Sequence, residues 1–77
     1  MYQYYDYTVE DTGPIVCTIE QDSGLWYVIP VYKGREERQD EYMFHDAESA
    51  AVFARSYCRE PAYTIAVYET FVNQGYL

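Results

Sequence analysis

Residues 46–59 constrain the fold most, because this is the segment whose apolar residues keep a helical period. Ala47, Ala50, Ala51, Ala54, Tyr57 and Cys58 recur at i, i+3, i+4, i+7, i+10 and i+11, one face of an α-helix. Phe53 borders that face and can reach the core. Asp46 precedes the run as an N-cap, its carboxylate placed to accept from the free amides of the first turn. Glu48 favours the positive end of the helix dipole, and Arg55 and Arg59 the negative end. Pro61 ends the helix by disfavouring helical geometry at Glu60. A face built mostly of alanine lets the helix lie close against a sheet.

The remaining segments predict strands and turns. Residues 2–9 are rich in strand formers but alternate poorly, which suits an edge strand or an extended arm. Residues 10–14 form a turn around Gly13-Pro14. Residues 15–20 alternate cleanly, with Ile15, Cys17 and Ile19 on one face. Residues 21–24 carry hairpin-turn chemistry. Residues 25–33 return as a strand apolar on both faces, and Pro30, which cannot donate to a ladder, requires an edge or a bulge beside it. Residues 33–40 are a polar connection into which the strands can extend, and residues 41–44 a short strand before the helix. Residues 62–72 read as the strongest strand, with Tyr63, Ile65, Val67 and Phe71 sharing a face interrupted by Glu69. Residues 73–77 read as a tail.

The order is therefore β-β-β-β-α-β in one domain, residues 1–77. The expected fold class is α+β, an antiparallel sheet of four to five strands with one helix packed on one face. The other sheet face would carry Trp26, Tyr32, Tyr68 or their neighbours, depending on register. An uncovered aromatic face of that kind suits a partner or a second copy of the chain.

A chain of 77 residues sits near the lower end of sizes that hold a core, and its 11 tyrosines can supply core area or a binding face. Thirteen acids against five bases give a formal charge of −8, which repels phosphate and anionic lipid and favours a basic partner. Cys17 and Cys58 form no CxxC and have no histidine at metal spacing, so two buried free thiols in a reducing compartment are expected. A disulfide from strand to helix remains geometrically open. No apolar run reaches membrane length, and residues 1–6 do not read as a signal peptide, which places the protein in the cytoplasm.

His45 is the only histidine, and sequence gives it no nucleophile unless folding brings Cys17 or Cys58 near. No enzyme signature, metal-ligand spacing or phosphate-cradling glycine loop is present, so neither catalysis nor a cofactor is expected. Direct nucleic-acid binding needs a basic groove, whereas here Arg35 and Arg38 are interleaved with Glu36 and Glu37. The converse fits the composition. Spaced carboxylates can imitate the charge array of a nucleic-acid backbone and occupy the basic site of a protein that binds one. Glu36, Glu37, Asp40, Glu41, Asp22, Glu20 and Asp11, with Tyr32, are the candidate contact residues. A generic homodimeric domain, acidic only for solubility, is the alternative.

The hairpin over residues 15–33, the run Phe44-His45-Asp46-Ala47-Glu48-Ser49 leading into one helix, and residues 63–69 together resemble small acidic phage-encoded inhibitors of bacterial defence, especially anti-CRISPR proteins. The resemblance is one of outline and carries no functional residue across. It implies stoichiometric, non-catalytic binding to a Cas effector in the host cytoplasm, either by occupying a DNA site or by clamping a protein surface.

Overall fold

The computed structural model describes residues 14–77, so the strand expected over residues 2–9, most of the turn at 10–14, and Asp11 lie outside the described residues. The fold is α+β. Strands β1 (Val16–Asp22) and β2 (Leu25–Tyr32) form a hairpin closed by Ser23 and Gly24, whose φ values are 54° and 81°. Positive φ at both central residues is the twist-matched turn that joins antiparallel strands most tightly. Lys33 and Gly34 repeat this geometry before β3 (Arg35–Glu36), so the strands do run into the polar connection. A 3-10 turn at Arg38–Asp40 bulges outward, and β4 (Tyr42–Phe44) then rejoins the same side of β2.

That break in the ladder falls at Pro30. The Pro30 carbonyl accepts from the Glu37 amide at 2.9 Å, on the side where β3 ends and β4 has not begun. In a strand the amide and carbonyl of one residue point the same way, so the missing Pro30 donor faces the gap and leaves nothing unpaired.

Helix α1 (Ala47–Tyr57) starts where its sequence predicts, with Asp46 Oδ1 accepting from the Ser49 amide at 2.7 Å. It buries Ala47, Ala50, Ala51 and Ala54 against the face that carries Cys17, Ile19, Trp26 and Val28. The chain then forms β5 (Glu60–Tyr63), which pairs with β1 in parallel. The sheet is therefore mixed rather than wholly antiparallel. β4, α1 and β5 make a crossover between parallel strands, with β2 and β1 lying between them.

The strand expected over residues 62–72 is corrected. It ends at Tyr63, and a second helix, α2 (Ile65–Asn73), follows on the same side of the sheet as α1. The Thr64 hydroxyl caps α2 by accepting from the Val67 amide at 3.2 Å. Val67 and Phe71, four residues apart, point into the core, while Ile65 and Glu69 point away. The period is four, and the interruption at Glu69 in the two-residue reading is its trace. Residues 73–77, expected as a tail, instead build a Schellman stop. Gly75 has φ +84°, its amide donates to the Val72 carbonyl at 3.1 Å, and the Tyr76 amide donates to the Phe71 carbonyl at 2.8 Å. The accompanying apolar contact is Tyr76 edge-on to Phe71, with ring centroids 5.9 Å apart.

Phe71 is the hub of the core, meeting Trp26 at 5.4 Å and Tyr63 at 5.5 Å. The expectation of two free thiols is corrected as well. Cys17 and Cys58 are disulfide-bonded, with Cα atoms 6.2 Å apart. The alternation of β1 and the period of α1 aim both side chains into one sheet–helix interface. On the other sheet face the register places the neighbours and not the three named aromatics. Trp26 lies on the helix-covered side and is buried, Tyr32 shares that side at its rim, and Tyr68 stands on α2. The helix-free side carries Thr18, Glu20, Tyr27, Ile29 and Val31.

Candidate partner-binding surface

The acids singled out by the sequence divide into two groups. Glu20 on β1 and Glu36 on β3 both rise from the helix-free side, with β2 between them. Arg38, on the 3-10 turn, spans that strand and holds both. Its Nη1 donates to Glu20 Oε1 at 3.0 Å and its Nη2 to Glu36 Oε1 at 3.2 Å. A second bond to Glu20 makes that pair bidentate. Glu20, first, and then Glu36 hold the Arg38 guanidinium above its ordinary pKa. Glu37 is engaged too, by Gln39 Nε2 at 3.1 Å and by Arg35 at 3.6 Å. These are solvent-facing ion pairs worth about 0–1 kcal/mol each. Their larger consequence is that three carboxylates are already partly neutralised.

Asp22, Asp40 and Glu41 form the second group. Each is exposed, and among the described residues none has a cation within ion-pair distance. Asp22 closes the β1–β2 hairpin, and among the described residues its carboxylate accepts only from the Ser23 hydroxyl, at 3.4 Å. Asp40 and Glu41 lie where the 3-10 turn hands over to β4.

Beside them stands an aromatic cluster of which the sequence names only Tyr32 as a contact residue, Phe53 and Tyr57 being read as part of the helix's inner face. Tyr42 on β4 faces the helix side opposite Val28, at the sheet's rim. Its ring meets Phe53 at 4.7 Å and Tyr57 edge-on at 5.2 Å. Phe53 and Tyr57, one turn apart on α1, stack at 4.9 Å, and Phe44 closes the row at 5.2 Å from Phe53. That spacing of four on one helix is the signal that could have found the cluster. Tyr42 is 45% exposed and Tyr32 40%. Burial, followed by the neighbouring Tyr32 hydroxyl and then Tyr42 and Asp40, pushes the Tyr57 hydroxyl far above the usual tyrosine range. The cluster thus gathers three tyrosines next to the turn that carries Asp40, a carboxylate without a cation among the described residues.

The rim is one-signed. From Asp40 to Glu48 the chain carries Asp40, Glu41, Asp46 and Glu48 and no lysine or arginine. A shallow groove on the outer flank of α1, lined by Glu48, Ser49, Val52, Phe53 and Ser56, continues from the cluster through Phe53. His45 is exposed on this rim, and Cys17 and Cys58, the nucleophiles considered for it, are bonded to each other in the core. Among the described residues no three His, Cys, Asp or Glu side chains converge as metal ligands, and no helix is long and apolar enough to cross a membrane.

An α+β domain with a one-signed acidic and aromatic rim is the class that fold and surface define. Compared with known proteins, the chain matches no protein-family model, no curated protein and no solved structure.

Proposed function

We propose that this is a non-enzymatic binding protein that engages a basic surface on a protein partner. The partner is a nucleic-acid-binding protein of bacterial defence such as a Cas subunit, whose nucleic-acid site it occupies as an inhibitor. The observation that carries the reading is that Asp40 and Glu41, both unpaired among the described residues, lead directly into β4 and its half-exposed Tyr42, with Tyr32 half-exposed on the same helix side of the sheet. The net charge of −8 supports it by favouring encounter with basic surfaces and opposing approach to phosphate. Because Arg38 and Arg35 already hold Glu20, Glu36 and Glu37, the contact is a compact patch of acids and tyrosines rather than an evenly spaced phosphate-like array. The cytoplasm, where such a target works, is the corresponding location, and because that compartment reduces accessible disulfides the Cys17–Cys58 bond would persist there through its burial.

The test is a pull-down from a lysate of CRISPR-bearing bacteria, washed at low and then high salt. A Cas subunit that leaves at high salt and is not captured by an Asp40→Asn/Glu41→Gln variant supports the reading. Capture that survives both changes removes this rim as the contact surface.

A homodimeric reading has its own observation. Ile65, Tyr68 and Val72 line the outer face of α2 at 79%, 52% and 44% exposure, an apolar stripe with one helical period. Sedimentation separates the two. A salt-resistant dimer that Tyr68→Asp dissociates favours the second reading.

A further inference from the structure

We propose that Tyr32, Tyr42 and Tyr57 with Asp40 form a receptor for a single arginine side chain presented by the partner, an inference that rests on the proposed function and names its central contact. A guanidinium is planar, weakly hydrated and always charged, so it can stack on a tyrosine ring while its edge donates to a carboxylate. The cluster offers both halves at once. Tyr42 is braced edge-on against Tyr57 at 5.2 Å and against Phe53 at 4.7 Å, so its ring is held in place while nearly half of it stays exposed. Phe53 and Tyr57 are themselves fixed by stacking on one rigid helix. Asp40 precedes Tyr42 by two residues where the 3-10 turn hands over to β4, is exposed, and has no cation of its own among the described residues.

Three of the chain's four arginines are turned to other tasks, and Arg59 makes no ion pair with Asp40. Arg38 is held by Glu20 and Glu36, Arg35 pairs with Glu37, and Arg55 donates to the Tyr76 carbonyl at 3.1 Å. Lys33 follows Tyr32 in the chain but makes no ion pair with Asp40. Charge complementarity therefore points outward, to a basic partner. The geometry distinguishes arginine from lysine, because an ammonium is a compact point charge that gains little from a flat ring beside a carboxylate edge.

The experiment titrates the intact protein with two labelled peptides, Ac-(Gly-Arg)4-NH2 and Ac-(Gly-Lys)4-NH2, at low salt. Anisotropy gives affinity and aromatic 1H–13C spectra give location. The expected result is tighter binding of the arginine peptide, with shifts concentrated on Tyr32, Tyr42 and Tyr57. Asp40→Asn and Tyr42→Ala should each weaken it on the order of tenfold and erase its advantage over the lysine peptide. Tyr42→Phe, which keeps the ring, should retain most of the affinity, and Glu69→Gln on α2 should change nothing. Equal binding of both peptides, indifferent to Asp40→Asn, would overturn the arginine receptor and leave a diffuse acidic contact standing. Failure of either peptide to bind would overturn the acidic contact as well. Asp40 is exposed, so its variant tests the receptor even if Tyr42→Ala weakens the fold.

Discussion

Asp46 is a residue whose work can be read from one hydrogen bond. Its carboxylate accepts from the Ser49 amide at 2.7 Å, and that bond, more than the neighbouring His45, holds its pKa below the usual aspartate value of 3.8. A depressed folded pKa means that the native state binds this proton less tightly than the unfolded chain does. The cap's contribution is therefore complete above the unfolded value and is lost as pH falls through the lower, folded one. Thermal melts of the protein and of Asp46→Asn should differ at neutral pH and converge below about pH 4. A gap that stays constant down to pH 2 would mean the carboxylate's charge adds nothing to the cap. At the same scale the sequence announces Asp46, because a cap is a local event. It does not announce the bonds from Arg38 to Glu20 and Glu36. Those need β1, β2 and β3 in register before a residue on the 3-10 turn can reach across.

At the scale of elements, α1 is legible and α2 is not. The alanines of α1 recur over three turns, so only a helix gathers them on one side. In α2 the β-branched and aromatic residues favour a strand locally, and Val67 and Phe71 fit a period of two as well as one of four. Packing decides between them, because only the helix puts Phe71 against Trp26, Tyr63 and Tyr76 together. The punctuation was nevertheless present, in Thr64 as a cap and Gly75 as a stop. Gly75 gives the element its sharpest test. Its φ of +84° is costly for a residue with a side chain, while a Cβ there would meet no atom, so the whole penalty is backbone strain. Gly75→Ala should cost about 1 kcal/mol and lower Tm by roughly 4–8 °C in a domain of this size. Gly75→Asn, which tolerates the left-handed region, should cost less. Phe71→Ala should cost about 3–5 kcal/mol, enough to unfold much of so small a domain. If Gly75→Ala melts with the parent, the Schellman stop is not holding α2 in place.

For the whole molecule, the α+β class follows from one helix among alternating segments, but its closure does not. β5 joins β1 in parallel from the far side of α1, and the partner of Cys17 lies 41 residues away. Local period turns both cysteines inward, but neither their bond nor the parallel pairing follows from it. The same distance makes the disulfide the largest single lever on stability. It ties β1 to the point where α1 gives way to β5, next to the Ile15 carbonyl that accepts from both Arg59 and Glu60. Closing a loop of 41 residues in the unfolded chain is worth about 4 kcal/mol in the chain-entropy account. For a domain near the lower size limit, that is a large share of the total. Cys17→Ala/Cys58→Ala should therefore lower the unfolding free energy by about that amount. The arginine-peptide affinity of the folded variant should stay unchanged, because the rim around Tyr42 is built on β4 and the outer flank of α1. Cys17 is 0% and Cys58 5% exposed, so reductant should act on the native protein slowly and rapidly only once denaturant opens the interface. A double variant as stable as the parent would leave the fold resting on the Phe71 cluster alone.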